Sequence, residues 1–568
     1  PPPFFFTPHT PHSALLSGLV GSEMCIRDRS GAGGGVVAKE LSILGYSVVL
    51  FEKGKWIGYN NKSNDELSDQ RNQVLGANFG PNINKNPRSV IDEHGNETIF
   101  NSLQGYGNIA ECVGSGTVSY GAMAWRFMEE DFKMKSKYGH VEGSTLEDWP
   151  ISYHDLEPFY EKAEWEIGVS GDDTKNPFAS ERKKPYPMPA FEINKEGKIL
   201  EKAAKRLGWN PFPVPMFRNS IPYKERTPCM RNSICVGNAC PVGAKNGTQN
   251  TVIPQAIDTG NCELRTECIV SEIVLDDKSK VKGVKYFDSS KRQFFQSSDI
   301  VVLSASANET ARLLLNSKSK FFPNGVGNNN DWVGRNLQSH AYTGAVGLFD
   351  YEILDFDGPG ANIAISNFSH NNNNVVGGGI LHNEFNRLPY QFSQIRPPGS
   401  DMWGAKHKDF QKKNFKRLSR VNGPIQEMPN YHSRLKVSEK YKDFWGIPII
   451  QFSGKRHFLD HEHCKFLSIK AELLLKEAGA IQTWQKIGGK GQGRGQHQAG
   501  TARMGNDKQT SVTNKYGQIH DVDNLFVADG SLIPNNAGFN PSLTIMALGF
   551  WVGSYIGNNF KHLLKHQA

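Results

Sequence analysis

A chain of 568 residues with 38% hydrophobic and 11% aromatic content has apolar mass for two or more domains and is not a disordered segment. Its net charge of +8 is diffuse, and the one dense run, Lys412–Arg417, reads as the solvated side of a helix, so no nucleic-acid surface is expected. No apolar run approaches the ~18–20 residues that cross a bilayer, so membrane association is expected only through a partner.

Residues 1–29 stand apart from the rest of the chain. Pro1–Phe6 and Ser17–Arg29 resemble neither a signal peptide nor a buried strand, and the second segment resembles translated sequencing adapter. We therefore expect 1–29 to be a non-native segment and the native first strand to be missing from it. Arg27, Asp28 and Arg29 are charged where such a strand should be apolar, and Arg29 stands where the first glycine of the next motif belongs.

That motif is Ser30–Gly45, a glycine-rich turn opening an amphipathic helix, followed by an apolar strand, Tyr46–Phe51, closed by Glu52. Glycines let a backbone approach a pyrophosphate, a helix N-terminus offers free N–H donors, and an acidic residue some twenty positions on suits ribose hydroxyls. Gly31, Gly34 and Glu52 fit this spacing, and the strand ending in Glu favours a dinucleotide site over a merely structural turn.

Between Gly105 and Arg126, Gly114, Gly116 and Gly121 sit in a stretch of little charge, as expected of backbone lying near a large flat ligand or of a loop packed under the core. Ser152 is placed to cap a helix that runs to Ile167. Residues 170–225, rich in Pro and Lys, read as an excursion from the first domain. Cys229, Cys235 and Cys240 come next; three thiols in twelve residues suit an iron–sulfur cluster better than zinc, and a disulfide plus one buried thiol is the alternative.

Glu263–Glu267, Ile269–Leu275 and Val281–Phe287 read as a small antiparallel sheet. Asp299–Ser304 reads as a buried strand and Ala307–Leu315 as a helix, returning the chain to its first domain. Residues 345–490 are richer in Asn, aromatics and polar alternation; Tyr431–Val437 and Pro448–Phe452 are expected to be strands of a second sheet in a substrate-covering domain. A helix over Leu459–Ala478 leads back.

The last eighty residues hold His497–Gly505, a short apolar strand within Asn524–Gly530, and Asn540-Pro541 opening a buried helix. One His and one Asn thus stand at element boundaries, although Asn540 could simply cap its helix.

Taken in order, Gly31–Glu52, Val113–Arg126, Asp148-Trp-Pro, Cys240–Lys245, Leu303–Leu315, Val333–Leu337, His497–Gly505 and Asp529–Leu548 resemble the glucose–methanol–choline (GMC) family of flavoprotein oxidoreductases. The nearest branch looks like the FAD-carrying large subunits of bacterial gluconate, fructose and glucose dehydrogenases. The resemblance implies an α/β fold, with a Rossmann-like FAD-binding domain in three parts (30–165, 226–344 and 491–568) and an α+β substrate domain on an antiparallel sheet (166–225 and 345–490). It implies His497 as catalytic base and Asn540 as its partner. Gly31, Gly33, Gly34 and Glu52 would hold the ADP part of FAD, Val270 the adenine, Gly114, Gly116 and Thr117 the ribityl and flavin region, and Asp529, Gly530, Asn540, Pro541 and Ser542 the rest. Cys229, Cys235 and Cys240 resemble a three-iron cluster site, with one spacing a residue longer. The implied reaction is oxidation of an alcohol, polyol or sugar acid by hydride transfer to flavin N5, with a small subunit and a cytochrome c as partners. An oxidase using dioxygen and a redox-inert lyase are the alternatives. Ser119-Tyr120 replaces the His-Trp of sugar dehydrogenases, so sugar specificity is not carried over. The branch implies assembly on the periplasmic side with an exported partner, while the residues themselves leave a cytoplasmic location open.

Overall fold

Five short strands run parallel in one sheet, in the order Leu525–Val527, Ile300–Leu303, Met24–Asp28, Ser47–Phe51 and Cys262–Arg265. The computed structural model describes residues 24–28, 30–57, 81–99, 109–493 and 495–565. A parallel sheet covered on both faces needs apolar residues at every position, and Val48–Phe51, Ile300–Leu303 and Leu525–Val527 are buried throughout.

The central strand falls on residues that the sequence sets apart. Met24–Asp28, which the sequence sets apart as foreign to the fold, pairs with Ser47–Phe51 on one side and Ile300–Leu303 on the other. A strand between two parallel neighbours is fixed by backbone hydrogen bonds, which do not depend on side-chain polarity. Residues 1–23 and 29, and residues 105–108 of the glycine-rich stretch, lie outside the described residues.

Helix Ala32–Ile43 leaves the central strand and packs against the C-terminal helix Ser542–Lys565. Two glycines permit the close approach: a Cβ on Gly549 would stand 3.1 Å from the Gly33 carbonyl, and one on Gly553 would stand 3.2 Å from Val37 and Glu40. Ser152 caps helix Tyr153–Ala163 through the Asp155 N–H, and the helix ends in one π turn, Glu164–Gly168.

Two other strand expectations need revision. Cys262–Arg265 joins the edge of the parallel sheet, and the antiparallel sheet is built from Ile269–Leu275, Val281–Phe287 and Gln293–Ser297. Arg434–Lys442 and Pro448–Ser453 pair in a small sheet with Ser89–Ile91 and Glu97–Ile99, outside the large second sheet.

That large sheet has six antiparallel strands in the order Gln482–Lys486, Tyr342–Leu348, Leu418–Pro424, Leu381–Asn383, Ile363–Ile365 and Pro211–Pro213. Helix Phe458–Glu477 covers one face, where Ala345, Leu381 and Val421 meet Leu467, Ala471 and Leu475. Because side chains alternate along a strand, Tyr342, His382, Arg420, Asn422 and Lys486 share the opposite face.

Candidate active site

The loop ending at His497 and the turn ending at Asn540 meet at the edge of this second face. Asn540 Nδ2 lies 3.4 Å from His497 Nε2 and donates to the Tyr342 hydroxyl at 2.9 Å, while Asn540 Oδ1 accepts from Trp125 Nε1 at 3.1 Å. The Trp125 N–H can only donate, so it fixes which end of the carboxamide is oxygen. Asn540 therefore does not cap the helix behind it: the first helical acceptor is the Pro541 carbonyl, bonded by the Ile545 N–H at 2.8 Å.

His497 adopts φ +62°, a left-handed conformation uncommon outside glycine. Its carbonyl is held by Asn536 Nδ2 at 3.0 Å, and Gly500 and Ala502 bond back to the Gly530 and Ser531 carbonyls. The strain is local and held by the surrounding bonds, as at many functional sites.

A histidine not picked out in the sequence completes the arrangement. His340 Nδ1 lies 3.0 Å from His497 Nδ1, and His340 Nε2 lies 2.5 Å from the Ala537 carbonyl. A carbonyl accepts only, so His340 Nε2 carries a hydrogen. Burial, reinforced by the Arg456 charge, overcomes the hydrogen bond to Ala537 and pushes the His340 pKa down to about 3, so the ring is neutral and its Nδ1 is a lone pair. His497 must then donate from Nδ1. Neutral His497 consequently presents an unprotonated Nε2 toward Asn540, the state a general base requires.

The segments expected to hold a cofactor come together at the carboxyl ends of the parallel strands, where open α/β sheets bind ligands. The Gly114 N–H donates to Ser30 Oγ at 3.0 Å, and the Ser30 N–H and hydroxyl donate to Glu52 at 3.1 and 2.7 Å. Glu52 is buried and also accepts from the Gly54 N–H, so its carboxylate braces the turn. Thr117 likewise faces inward, donating to the Gly114 carbonyl and accepting from the Thr248 N–H. A Cβ on Gly116 would meet nothing within 4 Å, which leaves backbone open to a ligand there. Helix Ala32–Ile43 starts at Gly31 with no side-chain cap, leaving its first N–H groups free for a phosphate. Gly33 has a different duty: a Cβ would fall 1.7 Å from the Ala528 carbonyl, so this glycine lets the helix touch the strand beside Asp529.

Asp529 is fully enclosed and accepts from Thr310 Oγ1 at 2.6 Å and the Ser531 N–H at 2.8 Å; burial raises its pKa. Gly530 joins it to the His497 loop, and Pro541 and Ser542 open the C-terminal helix behind Asn540. Val270 lines a cleft with Lys53, Ser271, Glu309 and Arg312. Beyond the strand Ile300–Leu303, Ser306 Oγ and both polar atoms of Asn308 are buried without a partner among the described residues. Orphaned polar atoms, free helix N–H groups and open glycine backbone at one sheet end fit a dinucleotide cofactor.

The expected cysteine cluster finds no support. Cys229, Cys235 and Cys240 are free and half-buried, and among the described residues no group of three or more His, Cys, Asp or Glu is placed to hold a metal. The loop is gathered instead around the Lys245 ammonium, which donates to the Tyr120, Cys235 and Asn238 carbonyls at 3.3, 2.9 and 2.7 Å. The Cys229 sulfur accepts from the Arg231 N–H.

Sequence reasoning missed His340, Tyr342 and Trp125. Trp125 lay within the glycine-rich stretch, and His340 and Tyr342 only a few residues past Val333–Leu337, but a site assembled from three distant segments has no linear spacing to read.

Comparison with known proteins gives the chain's family. The N- and C-terminal GMC oxidoreductase family models match residues 144–342 and 429–549, together more than half of the chain. The chain is 28% identical over 523 residues to 6'''-hydroxyparomomycin C oxidase of Streptomyces lividus, covering 91% of this chain and 88% of the relative. It is 26% identical to the gluconate 2-dehydrogenase flavoprotein of Pantoea cypripedii, covering 93% and 92%. In fold it is similar to pyridoxine 4-oxidase from Mesorbium loti, with a TM-score of 0.61 at 14% identity over 95% of this chain and 99% of the other. With both family models matched in order along it, the chain belongs to the GMC oxidoreductase family, enzymes that are flavoproteins acting on CH–OH groups.

Proposed function

We propose that the protein is an FAD-dependent dehydrogenase that oxidises the CH–OH group of a small alcohol, polyol or sugar acid and passes the electrons to a partner. The observation that carries this is the chain Ala537 carbonyl, His340, His497, which leaves Nε2 of His497 unprotonated beside the Asn540 amide. When bound, FAD supplies a hydride acceptor at N5 of its isoalloxazine. Gly31, Gly34 and the free N–H groups of helix Ala32–Ile43 are the residues that would hold its pyrophosphate, Glu52 its ribose, Val270 its adenine, and Gly114, Gly116 and the Asp529–Ser542 segment the rest.

The chain's own residues do the proton work. The 3.4 Å separation of Asn540 Nδ2 and His497 Nε2 is long for a hydrogen bond, so a substrate hydroxyl can displace it and bond to both. His497 Nε2 takes the hydroxyl proton, help worth roughly 10²–10⁴-fold. Asn540 Nδ2 donates to the oxygen as negative charge gathers there. Trp125 and Tyr342 keep the amide aimed, and His340 accepts from the imidazolium as it forms. The six-stranded sheet belongs, in this reading, to a substrate domain that shields the reaction from water.

We assign the acceptor to a cytochrome c reached through a small subunit, as the family resemblance of the sequence implies. Anaerobic addition of alcohols tests the reaction: bleaching of the bound flavin supports it, and a flavin that no alcohol bleaches points to the redox-inert lyase. Mixing the reduced enzyme with air tests the acceptor, since rapid reoxidation with peroxide release contradicts a dehydrogenase.

A further inference from the structure

Behind Tyr342 the second face of the six-stranded sheet carries a concentration of positive charge that alcohol oxidation alone does not require. Arg387 Nη2 and Arg420 Nη1 both approach Glu384 Oε2, at 3.2 and 3.4 Å. Lys486 shares that face and has no carboxylate partner among the described residues. Two guanidinium groups thus share a single carboxylate, and the Lys486 ammonium and Arg396 lie within the same field. Cations that outnumber the one carboxylate between them are costly to hold together unless a ligand neutralises the excess.

The surrounding polar atoms are also short of partners. Arg387 Nε, Arg420 Nε, Asn422 Oδ1 and His382 Nε2 are all buried with no hydrogen bond among the described residues. His382 Nδ1 bonds the Asn383 carbonyl at 2.8 Å, so it carries the hydrogen and Nε2 is left an acceptor. Asn422 Nδ2 donates to Glu384 at 2.8 Å, which likewise leaves Oδ1 an acceptor. The face therefore offers cationic donors beside two neutral acceptors. A ligand that matches it brings an anionic group together with hydroxyl donors.

The cluster adjoins the catalytic pair. Tyr342, which accepts from Asn540, stands on the same face one strand from Arg420 and Asn422, and the Glu384 and Arg420 charges both act on its hydroxyl. Charge repulsion is already felt within the set: burial and then the Arg420 and Arg387 charges bring the Lys486 pKa down to about 8 despite Glu384.

From this juxtaposition we propose that the substrate is a hydroxylated carboxylate, its carboxylate held by Arg387, Arg420 and Lys486 and its carbinol carbon presented to His497 and Asn540. Neutral polyols lack the anion and amino sugars carry the wrong charge. The inference rests on the alcohol-oxidation reading and narrows it to one substrate class.

The test is a matched-pair measurement on the FAD-loaded enzyme under anaerobic conditions, comparing kcat/KM for gluconate with glucitol and for glycerate with glycerol. The acid is expected to be preferred by about 10-fold or more at low ionic strength, with the preference shrinking as salt is added. Lys486→Gln and Arg387→Gln, both on partly or fully exposed side chains, are each expected to reduce the acid-to-polyol ratio by about 10-fold. Lys278→Gln, which removes the same charge from a remote exposed turn, should leave the ratio where it was. Equal or better use of the neutral polyols overturns the proposal, as does a ratio that Lys486→Gln and Arg387→Gln leave intact. If neutral alcohols bleach the flavin and acids do not, only this inference fails. If no alcohol of either kind does so, the underlying reading fails with it.

Discussion

Replacing His340 with leucine removes the acceptor that fixes the tautomer of His497 without touching any group expected to contact substrate. The lost partner stands 3.0 Å from His497 Nδ1. In the ground state it is a neutral acceptor; once His497 takes the substrate proton, the same bond is charge-assisted. Hydrogen bonds to charged groups exceed neutral ones by about 1–1.5 kcal/mol, and each ~1.36 kcal/mol is a factor of ten in rate, so kcat should fall about 5–13-fold. KM should change little, because the interaction strengthens only as the proton moves. The same substitution leaves the Ala537 carbonyl unsatisfied in a buried site, at a stability cost of about 1–3 kcal/mol. His340→Gln, which can donate to Ala537 and accept from His497 with one side chain, should recover most of both losses. The assay is steady-state kinetics with flavin content and thermal unfolding measured on the same preparations. A leucine variant that keeps its flavin and loses less than about threefold in kcat, or a glutamine variant no better than leucine, would refute the tautomer argument.

Three further outcomes are expected. Asn540→Ala removes the donor aimed at the developing alkoxide and should lower kcat by about 10²–10³ with flavin still bound, whereas a variant that loses only helix content would return Asn540 to a capping role. Glu196 is buried beneath the second sheet, accepting from Ser419 and Asn383, and burial pushes its pKa up to about 7 from an ordinary 4.5. Its folded-state proton contributes stability below pH 4.5 that is lost as pH rises through about 7, a change of about 3 kcal/mol; denaturant titrations across that window should show the slope, and Glu196→Gln should flatten it. Gly33→Ala would place a methyl 1.7 Å from the Ala528 carbonyl, so the variant should lose flavin and about 2 kcal/mol or more of stability, and normal flavin content would show that the helix can move aside.

The parallel sheet was legible because its strands are short apolar runs set between glycine turns and amphipathic helices, a pattern with one packing solution. Its central strand was not, since Arg27 and Asp28 contradict that pattern and only pairing with two neighbours places them. The second sheet was misassigned because Arg434–Lys442 and Pro448–Ser453 alternate as convincingly as its true members, and alternation identifies a strand without naming its partners. His497 and Asn540 stood out by their motifs. The relay that sets the protonation of His497 was hidden because His340 joins it from 157 positions away. The cysteine run misled for the opposite reason: close spacing looked like a ligand set, while the fold uses that loop to surround the Lys245 ammonium.

The central claim is that Nε2 of His497 is the base that takes the substrate hydroxyl proton. Anaerobic single-turnover reduction of the bound flavin in His497→Ala, compared with the unaltered enzyme, addresses it directly. The rate constant should be about 10²–10⁴-fold lower with the flavin spectrum intact. A variant that keeps its flavin and is reduced by substrate at a near-normal rate would contradict it.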